Sequence, residues 1–152
     1  MKAISLHQPW ATFIAFGWKT IETRDHDRFR SLAGTRIAIH GAKTVEKEAF
    51  GSMHLPMEPF SLQWENLVRF AISHRGVILC TARIVAAKWA PRGNFDGREE
   101  WNRRAMCDVA GRFCLFLEDV RPARIRIPFR GRQGIFCVPD GIVEGISGKR
   151  SA

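Results

Sequence analysis

The chain has 152 residues, 45% of them hydrophobic and 26% charged, which fits one globular domain and is too short for two independent cores. No run approaches the roughly 20 apolar residues of a membrane span, and the N-terminus lacks a signal-peptide pattern, so a cytoplasmic protein with no membrane partner is expected. The formal net charge is +9 and mostly arginine; a planar guanidinium suits phosphates and base edges, so the charge favours a phosphate-bearing partner.

Residues Lys2 to Leu6 alternate, with Ile4 and Leu6 on one face, and predict a first strand. Pro9 opens a short helix with Trp10, Phe13 and Ile14 at helical spacing and Gly17 as its terminator. KTIETR reads as extended, with Thr20, Glu22 and Arg24 on one face and Lys19 at its entry. DHDRFRSLAG is a loop, and TRIAIH a strand with Ile37 and Ile39 facing the core and Arg36, Ala38 and His40 opposite. Gly41 is expected to break that strand, and TVEKEAF to form a short helix capped by Thr44.

The Gly- and Pro-containing residues from Gly51 to Pro59 read as a connection. Phe60, Trp64, Leu67, Val68 and Ala71 then keep the spacing of an amphipathic helix, with Trp64 in the core. GVILCTARIVAAKW is the most strand-like run, and REEWNRRAM a short helix with Asp96 as its cap. Three strands are expected in the last third, in GRFCLFLEDV, ARIRIPF and QGIFCV. These elements predict an α+β domain of about six strands on a strongly curved sheet or open barrel, spanning residues 1–138, with a loosely held tail over 139–152.

The four cysteines lack C-x-x-C spacing and read as reduced core residues, and the histidines are scattered, so no metal is expected. Neither G-x-G-x-x-G nor G-x-x-x-x-G-K-[ST] occurs, which argues against a dinucleotide enzyme or an NTPase, and no cofactor is expected. Ser5 has no G-x-S-x-G context, so a serine hydrolase is not expected.

Lys19 with Glu22 and Arg24 fits either an acid/base or nucleophilic pair or an ion pair that stiffens a pocket wall. His40 and Lys43 fit phosphate contacts, helped by the start of the helix expected after them, although His40 also fits a satisfied sheet-face residue. Gln8 can pair with a base edge, while Trp10 either stacks on a base or anchors its helix. From Arg121 to Arg132 there are five arginines and no acidic residue. Arg124, Arg126 and Arg130 are therefore candidate phosphate contacts, with Arg104 and Arg112 as possible additions.

SLHQPWATFIAFGWKTIETR, with the spacing G-x-K-x-x-E-x-R at Gly17, Lys19, Glu22 and Arg24 and the strand ending IHGAK, closely resembles the opening of the ASCH domain family, named for homology to activating signal cointegrator 1. GVILCTA, GRFCLFLEDVRP and IPFRGRQG also resemble that family, so the resemblance spans most of residues 2–138. It implies a PUA-like curved β-barrel with surrounding helices and a cleft lined by Lys19, Glu22, Arg24, His40 and Lys43, to which Gln8, Arg130 and Gln133 are added. It further implies a nucleic-acid partner, RNA in preference to DNA. One small branch of the family is an amidohydrolase on acetylated cytidine with a K-T-x-T signature. Lys19 and Thr20 match its start, but Glu22 stands where the second threonine belongs.

Three readings follow. The first is a binder of RNA or another nucleic acid, with a single-stranded end or exposed base in the signature cleft and phosphates on the arginines. The second is a hydrolase of a modified nucleoside, or a ribonuclease, using Lys19 and Glu22. The third is an interaction module for an acidic protein.

Overall fold

The computed structural model describes residues 1–50 and 61–142. Its described strands are β1 (Lys2–Gln8), β2 (Ile21–Arg24), β3 (Arg36–Val45), β4 (Val77–Trp89), β5 (Phe113–Pro128) and β6 (Ile135–Cys137). They form one mixed sheet in the order β2-β5-β4-β3-β1-β6, in which β1 and β3 are parallel and the other neighbours antiparallel. With β2 and β6 as free edges the sheet is open, in line with the expected six-strand α+β domain on a curved sheet or open barrel and not a closed one. No described helix is long and apolar enough to cross a membrane.

Alternation in the strands places two apolar layers on opposite faces. Ile4, Leu6, Ile37, Ile39, Ile84 and Leu115 build the main core with Ile14 of the helix α1 (Trp10–Ala15), while Ala3, Ala38, Ile78 and Phe136 form a smaller cluster on the other side. A second helix, α2 (Leu62–Ser73), sets Trp64, Leu67 and Ala71 against Phe13 and Phe50, and a third, α3 (Arg98–Ala105), ends in Ala105 beside Ile21 and Phe116. Each fully buried large apolar side chain contributes roughly 1.5–3 kcal/mol of transfer free energy, which holds these helices to the sheet.

Several elements differ from their expectation, each for a local physical reason. Gly41 lies inside β3, where a Cβ would sit 2.7 Å from the His74 carbonyl oxygen and 2.8 Å from Gln8 Nε2, so glycine permits close approach and does not break the strand. The strand continues to Val45, paired with Gln8, and only a 3₁₀ turn over Lys47–Phe50 follows in place of a helix capped by Thr44. Asp96 does not cap α3, because Gly97, with φ 82°, takes the N-cap position and makes no side-chain cap bond. The segments GRFCLFLEDV and ARIRIPF are one strand bent at Asp119, where φ is 47° and the register with β4 shifts between Thr81 and Arg83.

Pro139–Ile142, the start of the expected tail, is tied to the N-terminus: the Met1 amino group donates to Val138 O at 2.8 Å and pairs with Asp140 at 2.7 Å, and Ile142 packs on the smaller cluster. The rest of that tail, residues 143–152, and the connection over 51–59 with Phe60 lie outside the described residues. Among the cysteines, burial pushes Cys80 up to about 12 and Cys114 up to about 11, as inert core thiols should be. Cys137 departs from the core expectation, since its edge strand leaves it exposed.

Candidate functional site

Two adjoining clefts open at the C-terminal end of β1 and share Ser5, His7 and Arg24. The larger, of about 660 Å³, is walled by the segment after β2 (His26, Arg28, Phe29), the end of β3 (His40, Ala42, Lys43, Thr44) and the β5–β6 loop (Phe129 to Gly134). Its lining carries five cations, Arg24, Arg28, Lys43, Arg130 and Arg132, and no carboxylate. Five like charges in one concavity focus a positive potential that their own counter-ions only partly screen.

The smaller cleft, of about 350 Å³, contains Lys19, Glu22, Arg24, Arg112, Asp25 and Glu46 beside Trp10 and Cys107. Gly17, with φ 77°, ends α1 and turns the chain so that Lys19 N meets Phe13 O at 3.1 Å and the lysine enters the interior. Lys19 is 2% exposed; its Nζ donates to Ala105 O at 2.5 Å, stands 3.6 Å from Glu22 Oε2 and lies 4.9 Å above the Trp10 ring. Glu22 Oε1 is 3.4 Å from Arg24 Nε, and the Arg24 guanidinium stacks 4.8 Å from the Phe29 ring. Trp10 Nε1 donates to Glu46 at 2.7 Å, and His7 Nδ1 meets the other oxygen of that carboxylate at 2.7 Å. Trp10 therefore anchors the wall through both its ring and its indole N–H.

His40 sits between the strands and the β5–β6 loop. Its Nε2 bonds Phe129 O at 3.0 Å, and because a carbonyl only accepts, Nε2 carries the proton. Burial pushes the imidazole below its ordinary value, against the opposing pull of that carbonyl bond, so the ring is neutral and Nδ1 accepts from the Ser5 hydroxyl at 3.0 Å.

The candidate residues thus divide. Arg24, His40, Lys43, Arg130 and Gln133 meet in the larger cleft, and Lys19, Glu22 and Arg24 in the smaller. Lys43 reaches its place from a strand, so the helix start expected to assist it contributes no donors. Gln8 is a correction: it is fully buried, with Nε2 donating to His74 O and Oε1 accepting from the Thr12 amide and hydroxyl, and it lines neither cleft. Arg124 and Arg126 are exposed on β5 outside both clefts, where Arg126 Nε donates to His74 Nε2 at 3.2 Å. Sequence reasoning missed His26 and Arg28, which lie in a segment read only as a polar loop, and Ser5, which lacked a motif. Arg132 was visible within the arginine run.

The sheet order, the helices packed against it and a cleft at the end of β1 define an α+β domain built on one open mixed sheet. The fold is that of ASCH proteins: the chain superposes on the crystal structure of ASCH from Zymomonas mobilis with a TM-score of 0.56 and 15% identity, covering 96% of this chain and 92% of that one. It superposes on a mutant of the same Zymomonas mobilis protein with a TM-score of 0.57 and 16% identity, covering 96% and 93%. No protein-family model and no curated protein sequence matches the chain.

Proposed function

We propose that the protein is a nucleic-acid-binding member of the ASCH family, taking RNA in preference to DNA, with phosphates in the larger cleft and an unstacked base in the smaller. The observation that carries this reading is the five-cation, carboxylate-free lining of the larger cleft, directly continuous through Arg24 with a pocket that offers both donors and acceptors. Phosphate contacts position a strand, and a mixed polar pocket beside them reads an exposed base edge, as single-stranded RNA recognition requires. The commitment of Lys19 to Ala105 and Glu22 supports a wall-building role over a nucleophilic one.

Fluorescence anisotropy of a labelled single-stranded RNA tests the reading. Affinity is expected to fall as salt rises, and Arg130→Ala together with Arg132→Ala to weaken binding across sequences and lower the salt slope by about 0.7 per lost contact. Absence of binding at low salt contradicts it.

A further inference from the structure

From the chain Ser5 Oγ–His40–Phe129 O we infer that Ser5 is a base-activated nucleophile, and that the larger cleft hydrolyses a carboxylic ester of a phosphate-bearing alcohol through an acyl-serine. Ser5 Oγ is 3.0 Å from His40 Nδ1, and His40 Nε2 is 3.0 Å from the Phe129 carbonyl. This arrangement supplies a nucleophile, a base and a group that orients the base, with a backbone carbonyl in the third role. The carbonyl fixes the tautomer, so Nδ1 is free to take a proton only from the Ser5 side.

Gly131 shapes the approach. A Cβ there would stand 2.5 Å from Ser5 Oγ and 2.4 Å from His40 Nδ1, so only glycine lets the loop backbone lie directly against the dyad, and a substrate carbonyl must reach Ser5 from the open side of the cleft. The backbone N–H groups of Arg130, Gly131, Arg132 and Gln133 have no backbone partner among the described residues, and the oxyanion donors are drawn from this loop. Ser5 lies on a strand and not at a strand-to-helix elbow, which explains why its sequence context gave no signal.

In the first step the Ser5 Oγ–carbon bond forms as the hydroxyl proton passes to His40 Nδ1. The tetrahedral adduct collapses by breaking the carbon–oxygen bond to the alcohol, which leaves with that proton. Water then attacks the acyl-serine, gives a proton to His40, and the acid departs as Ser5 recovers the proton. The anchoring of the substrate's phosphate rests on the proposed binding cleft; the activation of Ser5 does not.

A fluorophosphonate probe with intact-mass and peptide mass spectrometry tests the nucleophile on the whole chain. One adduct on Ser5 is expected, none in Ser5→Ala, and at least a tenfold slower reaction in His40→Asn, with the wild-type rate falling in acid as His40 protonates. Because His40 is buried, each variant's thermal melt is recorded, and Ser5→Ala carries the test if His40→Asn does not fold. Hydrolysis of 4-nitrophenyl acetate should vanish in Ser5→Ala. An unlabelled wild-type protein, or equal labelling in Ser5→Ala, overturns the inference. RNA anisotropy of the wild-type protein, measured in parallel, reports separately on the binding cleft.

Discussion

Lys19 is 2% exposed, and a carbonyl, a carboxylate and an aromatic face all meet its Nζ. Removing one member of such a group leaves the others buried without compensation, so Lys19→Met is expected to cost about 3 kcal/mol in urea denaturation. An unchanged midpoint would show that the lysine is not needed by Glu22 and Ala105. His40 gives a pH signature whose sign is fixed by its burial. Its folded value lies below the ordinary 6.5, so the unfolded chain binds the proton more readily. The stability it contributes is fully present above about pH 6.5 and is lost as pH falls through the depressed value. Thermal melts from pH 8 to 5 should show this decline, with a smaller fall in His40→Gln. At this scale the sequence identified the charged types at Lys19, Glu22, Arg24 and Lys43, whose spacing is local. It could not show that Gln8 turns inward, because a buried glutamine and a base-reading one have the same neighbours in sequence.

Helix α2 illustrates an element fixed by two signals, an apolar stripe and a cap. The Ser61 side chain accepts from Trp64 N at 3.2 Å, so Ser61→Ala should lower stability by about 1 kcal/mol, whereas an unaltered melt would mean that packing of Trp64 and Leu67 alone sets the helix start. The apolar periodicity of α1, α2 and the first halves of the strands was legible for the same reason: it is set by the burial of one face. What could not be read were the joints. Gly41 resembles a strand breaker until the His74 carbonyl is seen against it, and Asp119 resembles the end of a strand until Arg36 and Arg121 are seen bonded to its carboxylate. Both are decided by partners more than 30 residues away or by a bulge, and no local pattern encodes them.

Across the whole molecule, the parallel pairing of β1 with β3 and the antiparallel pairing with β6 bring distant segments to one end of β1. Arg28, Lys43 and the Arg130–Arg132 loop become neighbours only through that topology, which is why the arginine run appeared in the sequence as a linear stripe and in the structure as a split set. Arg130 and Arg132 entered the cleft, while Arg124 and Arg126 remained on β5 outside it. If all five cleft cations neutralise phosphates of a single strand, the slope of log affinity against log salt is near −3.5, so a fourfold rise in salt weakens binding about a hundredfold. The direct measurement is therefore the anisotropy titration of single-stranded RNA at 50 and 200 mM salt, with wild-type protein and with Arg130→Ala plus Arg132→Ala. A loss of about a hundredfold in the wild type, reduced to about twentyfold in the double variant, is the predicted result; salt-independent binding, or a slope the two substitutions leave unchanged, would contradict a phosphate-binding cleft.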